Sequence, residues 1–349
     1  MSIIRASFKL NPMRVPTDLS GKRVALVLLS AIGDVVHGLP LVNSLRAAFN
    51  SIHLTWIIQP VPHQLVRYHP AVDEFVLFRR ELGLRAYQEV WRATRDRRFD
   101  LVLAPHVYFK AGVITGLLRA PRKIGFDWSR SRDLNTLFTN ERIPARPLGH
   151  VLEQNLEFLD YLGIPRRLEW DLGATRAEAE RYGPLLPPSG QPTVAMVLAS
   201  SNAEKDWPAE RYPMLVRRVQ QELGARVVLV GGLSEPENAV ARLLPEVLDL
   251  RAWDLRRLVY LLAQSDALVS PDTGPLHISV ALDTPSVALM GFTNPRWMGP
   301  ARFGELMVDA YADPGERSGA TREYRPGRMH RIGVEQVLEK VRLALTLPR

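Results

Sequence analysis

Residues 23–29 run almost unbroken in apolar side chains after Arg23, the pattern of a strand buried on both faces of a parallel sheet. A turn is expected at 30–34. Beyond it, Leu41, Leu45, Ala48 and Phe49 fall at i, i+4, i+7 and i+8, one face of an amphipathic helix that tolerates Pro40 only in its first turn. Further strands are predicted at 53–58, 75–77 and 101–104, with helices near 84–95 and 108–118 between them. Strands alternating with helices predict an α/β fold, a doubly wound parallel sheet.

A helix at 151–162 puts Leu152, Leu156 and Leu159 on one face and stops at Gly163, with Pro165 just beyond. The stretch 181–192 then carries Gly183, Pro184, Pro187, Pro188, Gly190 and Pro192, a linker composition. The strand and helix pattern restarts at 193–198 and continues with strands at 226–230, 267–269 and 287–290. Two similar domains facing a central cleft are therefore expected, 1–180 and 193–349, joined by 181–192. A last helix at 334–345 could close against either domain, including back on the N-terminal one.

The 349 residues are 46% hydrophobic, enough for two cored domains, and contain no cysteine. Disulfides, thiolate metal sites and cysteine nucleophiles are excluded, and a reducing compartment fits. The run 24–29 is too short to span a bilayer. The stretch 1–22 lacks a cleavage-site pattern, so no signal peptide is expected. Charge is lopsided: residues 1–150 hold 22 Lys+Arg against 11 Asp+Glu, whereas the whole chain is only +8. That asymmetry points to an anionic partner for the first domain. Only six of the 45 cations are lysine, so arginine preference accounts for their identity but not for their placement.

Four constellations fall at carboxyl ends of predicted strands, the edge at which open α/β sheets bind ligands. The first runs from Ser30 through Gly33 and Asp34 to His37. Gly33 allows a turn or close backbone approach, and Asp34 either caps the helix or faces the cleft. The spacing G-x-G-x-x-G is absent here, which argues against a dinucleotide fingerprint. The second contains Ser200, Ser201 and Lys205, followed by Asp206, Trp207 and Pro208. Hydroxyls, an ammonium and a helix start near Pro208 suit phosphate oxygens. The third is Asp272, Thr273, Gly274 and His277: backbone N–H groups at a helix start for a diphosphate, and a carboxylate for sugar hydroxyls. The fourth is the turn from Gly231 to Glu235, where Glu235 could hold a ribose diol or simply start a helix.

The order and spacing of these elements resemble the ADP-heptose:lipopolysaccharide heptosyltransferases, inverting enzymes of the GT-B fold, with two Rossmann-like domains. By that resemblance Asp34 is the general base, and Ser200, Ser201 and Lys205 contact the donor diphosphate. Glu235 holds the ribose, Trp253 lies near the adenine, and Asp272, Thr273, Gly274 and His277 complete the donor site. Gly33, His37, Arg92, Arg95, Arg98 and Lys110 are the expected acceptor contacts. Ser200 and Ser201 stand where threonines are familiar, and the basic run from Arg79 to Arg98 has its own spacing.

The chemistry agrees with this. A nucleoside diphosphate leaves readily once its charge is neutralised, so one base and one electropositive cradle suffice. No D-x-D pair stands at a strand end, and the resemblance implies no metal and no cofactor beyond the substrate nucleotide-sugar. The expected acceptor is an anionic lipid-linked saccharide, which places the protein in the cytoplasm, peripheral on the inner membrane. Alternatives are a nucleotide-sugar epimerase on the same scaffold and a non-catalytic sugar-nucleotide-binding protein. A nucleic-acid partner would explain the basic half but not the donor-type motifs, and none is expected.

Overall fold

The computed structural model describes residues 17–316 and 319–347. The stretch 1–22, in which no signal peptide is expected, lies outside the described residues as far as residue 16. The chain divides into two compact units between Asp171 and Leu172.

The first unit alternates β1 (Arg23–Val27), α1 (Ile32–Ala48), β2 (His53–Ile58), α2 (Pro60–Val66), β3 (Glu74–Leu77), α3 (Leu84–Thr94), β4 (Leu101–Ala104), α4 (Phe109–Leu117), β5 (Arg122–Gly125) and β6 (Glu141–Arg142), and ends in α5 (Val151–Leu162). Its six strands are all parallel, in the order β3-β2-β1-β4-β5-β6. Continuous apolar strands fit such a sheet because helices cover both faces. Ala86 and Val90 of α3 and Ala111 and Ile114 of α4 pack on one face, with Val27, Ile57 and Val102. α1 packs against α5.

α1 departs from expectation in two ways. It opens at Ile32, so Gly33 and Asp34 lie in its first turn, and Pro40 stands inside it. Proline removes one internal hydrogen bond. Burial of nearly every residue from Gly33 to Leu45 holds the helix nonetheless. Gly38 permits this closeness: a Cβ there would clash with the Leu28 side chain.

The second unit holds α6 (Arg176–Tyr182), β7 (Thr193–Val197), α7 (Arg211–Leu223), β8 (Arg226–Val230), α8 (Glu235–Ala241), β9 (Leu248–Asp249), α9 (Leu255–Ala263), β10 (Ala267–Pro271), α10 (Gly274–Ala281), β11 (Ser286–Met290), α11 (Pro295–Met298), β12 (Val308–Asp309) and α12 (Val334–Ala344). The sheet order β12-β11-β10-β7-β8-β9 winds as the first does, again all parallel. In each sheet the order reverses beside its first strand, between β1 and β4 and between β7 and β10.

The division at Asp171–Leu172 precedes the Pro- and Gly-rich stretch 181–192. α6 belongs to the second unit because buried Arg256 of α9 grips Glu178 through two 2.7 Å bonds, while Tyr182 donates to Asp254 at 2.6 Å. Within 181–192, the Pro187 carbonyl accepts from Arg226 at 2.8 Å, so that stretch too is tied to this unit. α12 packs on α7 in the second unit, burying Val337, Leu338, Val341 and Ala344 in its core.

Candidate active site

Most of the residues singled out by sequence gather at the two points where strand order reverses, the positions at which open α/β sheets bind ligands. At the first, α1 follows β1 directly. Asp34 is half-buried, and its Oδ2 accepts the Ala31 N–H at 2.7 Å. The carboxylate thus caps its own helix, whose N-cap residue Ala31 has no side-chain oxygen to do so. From the end of β4 come His106, buried, and Lys110, half-buried in the first turn of α4. Burial lowers the Lys110 ammonium below its usual range and the charge of Arg80 lowers it further, whereas the negative charge of Asp34 opposes both. Lys110 therefore feels the charges of both Asp34 and Arg80.

His106 escaped the sequence reading. Burial, followed by the charge of Lys110, pushes its imidazole down to about 4, so it is neutral at ordinary pH. Its Nε2 is buried with no hydrogen-bond partner among the described residues. The signal available in sequence was its place two residues past a strand end. Gly33 and His37 are both buried, and the His37 ring meets His150 edge-on at 5.3 Å.

Arg92, Arg95 and Arg98 are not brought to this edge. α3 begins after the carboxyl end of β3 and runs back toward the start of β4, so Arg92 in its last turn, Arg95 at its C-cap and Arg98 beyond lie toward the amino edge. Eleven residues of helix span about 16 Å at 1.5 Å per residue. Sequence proximity to Arg80 concealed that separation.

At the second reversal the loop after β7 meets the loop after β10. Lys205 Nζ donates to Asp272 Oδ2 at 2.7 Å and reaches toward the Asp272 carbonyl at 3.4 Å. His277 Nε2 lies 3.5 Å from the other carboxylate oxygen. Burial raises the Asp272 carboxyl, but the His277 hydrogen bond and the Lys205 charge outweigh it and hold the group well below the usual carboxylate range. α10 opens at Gly274 with Thr273 as an extended N-cap whose side chain makes no capping hydrogen bond. An uncapped helix start of this kind offers backbone N–H groups and positive potential to an anion.

Ser200 is held in a tight loop: its N–H donates to Asp206 at 2.7 Å and its hydroxyl to the Asn202 carbonyl at 2.8 Å. Ser201 is exposed beside it. α7 opens at Arg211, three residues after Pro208, and Trp207 is a core residue whose indole N–H donates to Ile332 at 2.9 Å.

At the end of β8, Glu235 is exposed and pairs with Arg242 at 2.7 Å. The buried carboxylate of that turn is Glu237, which accepts the N–H groups of Gly232 and Ser234 at 2.7 and 2.9 Å. The capping pattern of Ser234 and Glu237 was its available signal. Trp253, 67% exposed, lies across Gly232, where a Cβ would come within 2.7 Å of the ring.

The chain is 25% identical over 303 residues to lipopolysaccharide core heptosyltransferase OpsX of Haemophilus influenzae, covering 85% of this chain and 86% of that protein. It is 26% identical over 296 residues to lipopolysaccharide heptosyltransferase 1 of Escherichia coli K12, covering 79% and 90%. Among solved structures, the E. coli heptosyltransferase WaaC with ADP superposes with a TM-score of 0.73 at 23% identity, covering 92% of this chain and 99% of that one. A family 9 glycosyl transferase of Veillonella parvula gives 0.79 at 21%, covering 95% and 99%. These likenesses assign the GT-B fold. Residues 87–309 match the model of glycosyltransferase family 9 (heptosyltransferase), well over half of the chain, and the chain therefore belongs to that family.

Proposed function

We propose that this protein transfers heptose, or a closely related sugar, from an ADP-sugar to a hydroxyl of a lipopolysaccharide core or lipid A acceptor, with inversion at the anomeric carbon. The observation that carries the reading is the Lys205–Asp272 pair beside the uncapped start of α10. An ammonium has three N–H donors, and Asp272 engages only part of that capacity, so Lys205 can serve a diphosphate as well. With Ser200, Ser201 and the Thr273–Gly274 backbone it neutralises the leaving group, and Asp272 and His277 fix the sugar. Trp253 stacks on the adenine and Glu235 meets the ribose.

Asp34 takes the proton of the acceptor hydroxyl as its oxygen bonds to the anomeric carbon. The bond from that carbon to the diphosphate breaks on the opposite face, and ADP departs with the electron pair. Lys110, with Gly33 and His37 shaping the same edge, receives a phosphorylated acceptor. Such an acceptor is lipid-linked, which puts the protein at the cytoplasmic face of the inner membrane.

The test is incubation with ADP-heptose and a deacylated core acceptor, read by mass spectrometry for one added heptose and by NMR for the anomeric configuration. Retention of configuration, donor turnover without acceptor, or ADP binding with no transfer would each reject the reading.

A further inference from the structure

α3 buries one face and presents the other to water. Ala86, Val90 and Thr94, spaced i, i+4 and i+8, are buried. The outward face carries Leu84, Arg85, Gln88, Trp91, Arg92 and, at the C-cap, Arg95. Leu84 is 81% exposed and Trp91 41%, and their spacing of seven puts them on one line along the helix. Arg95 stacks its guanidinium over the Trp91 ring at 5.3 Å.

The apolar line continues onto neighbouring elements. Tyr108 and Phe109, both exposed, open α4, which packs on α3. Exposed Leu134 and Leu137 belong to a segment fixed along α4, where Asn135 donates to the Tyr108 carbonyl at 2.8 Å and Phe138 lies against Gly112 and Gly116. Single exposed apolar residues are ordinary, but a contiguous group rimmed by charge marks an interaction surface.

The charge of that rim is positive. Arg85, Arg92, Arg95 and Arg98 are exposed there. Of the carboxylates in these segments, Glu89 turns to Arg79 at 3.0 Å and Asp96 lies 3.3 Å from Arg95, while exposed Glu81 and Asp133 are offset in sequence by exposed Arg80 and Arg132. Arg92, Arg95 and Arg98 lie toward the amino edge, away from the edge that holds Asp34 and Lys110, so the acceptor edge does not account for them.

We propose that the outer face of α3, with the adjoining start of α4 and the Leu134–Leu137 segment, rests on an anionic lipid bilayer. Leu84 and Trp91 enter the boundary between headgroups and acyl chains, and the arginines meet headgroup phosphates, their stems lying along the apolar surface. No helix among the described residues is long and apolar enough to cross a membrane, so this attachment is interfacial. The inference deepens the proposed function and rests on its lipid-linked acceptor: the basic surface divides into a lipid-facing part on α3 and an acceptor-facing part at Lys110.

Co-sedimentation with vesicles of phosphatidylglycerol and phosphatidylethanolamine, against pure phosphatidylcholine, tests this without donor or acceptor. The full-length protein is expected to bind only the anionic vesicles, less as salt rises. A Leu84→Ser/Trp91→Ser variant and an Arg92→Glu/Arg95→Glu/Arg98→Glu variant should each partition at least about tenfold more weakly. The first variant should also keep wild-type turnover on the deacylated acceptor and lose it on acceptor embedded in vesicles. No binding by the wild type, wild-type binding by both variants, or equal loss on the deacylated acceptor would overturn the proposal. Because vesicle binding is scored alone, absence of any sugar transfer would refute the heptosyl reading without deciding this one.

Discussion

Lys205 Nζ lies 2.7 Å from Asp272 Oδ2, tying the loop after β7 to the loop after β10 where the strand order of the second sheet reverses. The contact gives the ammonium a fixed position before any anion arrives, and preorganisation of this kind is worth more than flexible charge.

Lys205→Ala should raise the dissociation constant for ADP about tenfold to a hundredfold, the loss of one charge-assisted hydrogen bond of roughly 1.5–3 kcal/mol. The variant should also melt earlier, since buried Asp272 loses its cation. Calorimetric titration of the folded variant checks the first effect. Unchanged ADP affinity would remove Lys205 from the cradle.

Asp34→Asn separates base from cap. An asparagine Oδ1 can still accept the Ala31 N–H that Asp34 now holds. The variant is therefore expected to fold and bind ADP normally while turnover falls about 10² to 10⁴-fold at saturating donor and acceptor. Wild-type turnover would exclude Asp34 as the base.

Trp253 offers its exposed ring as a platform, and its packing over Gly232 fixes the ring's position. Trp253→Ala should weaken ADP by roughly 1–3 kcal/mol, the range for stacking on an aromatic side chain. Gly232→Ala should weaken it as well, since the new methyl group displaces the ring. Fluorescence quenching on ADP addition should vanish in the first variant and shrink in the second, and equal quenching in all three proteins would place the adenine elsewhere.

The Arg256–Glu178 pair sets a limit on acid stability. Hydrogen bonding to Arg256 is the main cause that lowers the Glu178 carboxyl, from 4.5 to about 2. A depressed carboxylate stabilises the fold above its unfolded value and loses that contribution as pH falls toward the folded one. The contribution is on the order of 3 kcal/mol. Urea unfolding of Glu178→Gln should differ most from wild type above pH 5, and the gap should close between pH 4.5 and 2. A gap independent of pH would show that the ionised pair is not its source.

Much of the architecture was legible because parallel strands buried on both faces are largely apolar, and 24–29 and 194–198 are continuously so. What escaped were features fixed by distant partners. Pro40 stands mid-helix because burial around α1 outweighs one lost hydrogen bond, and nothing local announces that. Gly183 and Pro184 look like a linker, yet Glu178 just before them is gripped by Arg256, which is 78 residues away in sequence. Motif residues next to strand ends lie close together in the structure, since the end of a strand is itself a position in space. The arginines of α3 lie apart from them because a helix carries neighbours in sequence to opposite edges of a sheet.

The identical winding of the two sheets has an evolutionary consequence. Each half carries its own strand-order reversal, so on the proposed division of labour the nucleotide is read by residues after 171 and the acceptor by residues before 172. Lineages can therefore retarget the recipient sugar by drift in the first half while the fuel they draw on stays the same. Acceptor range should diversify among related enzymes faster than donor range, and exchange of the first halves between two of them should carry acceptor choice along.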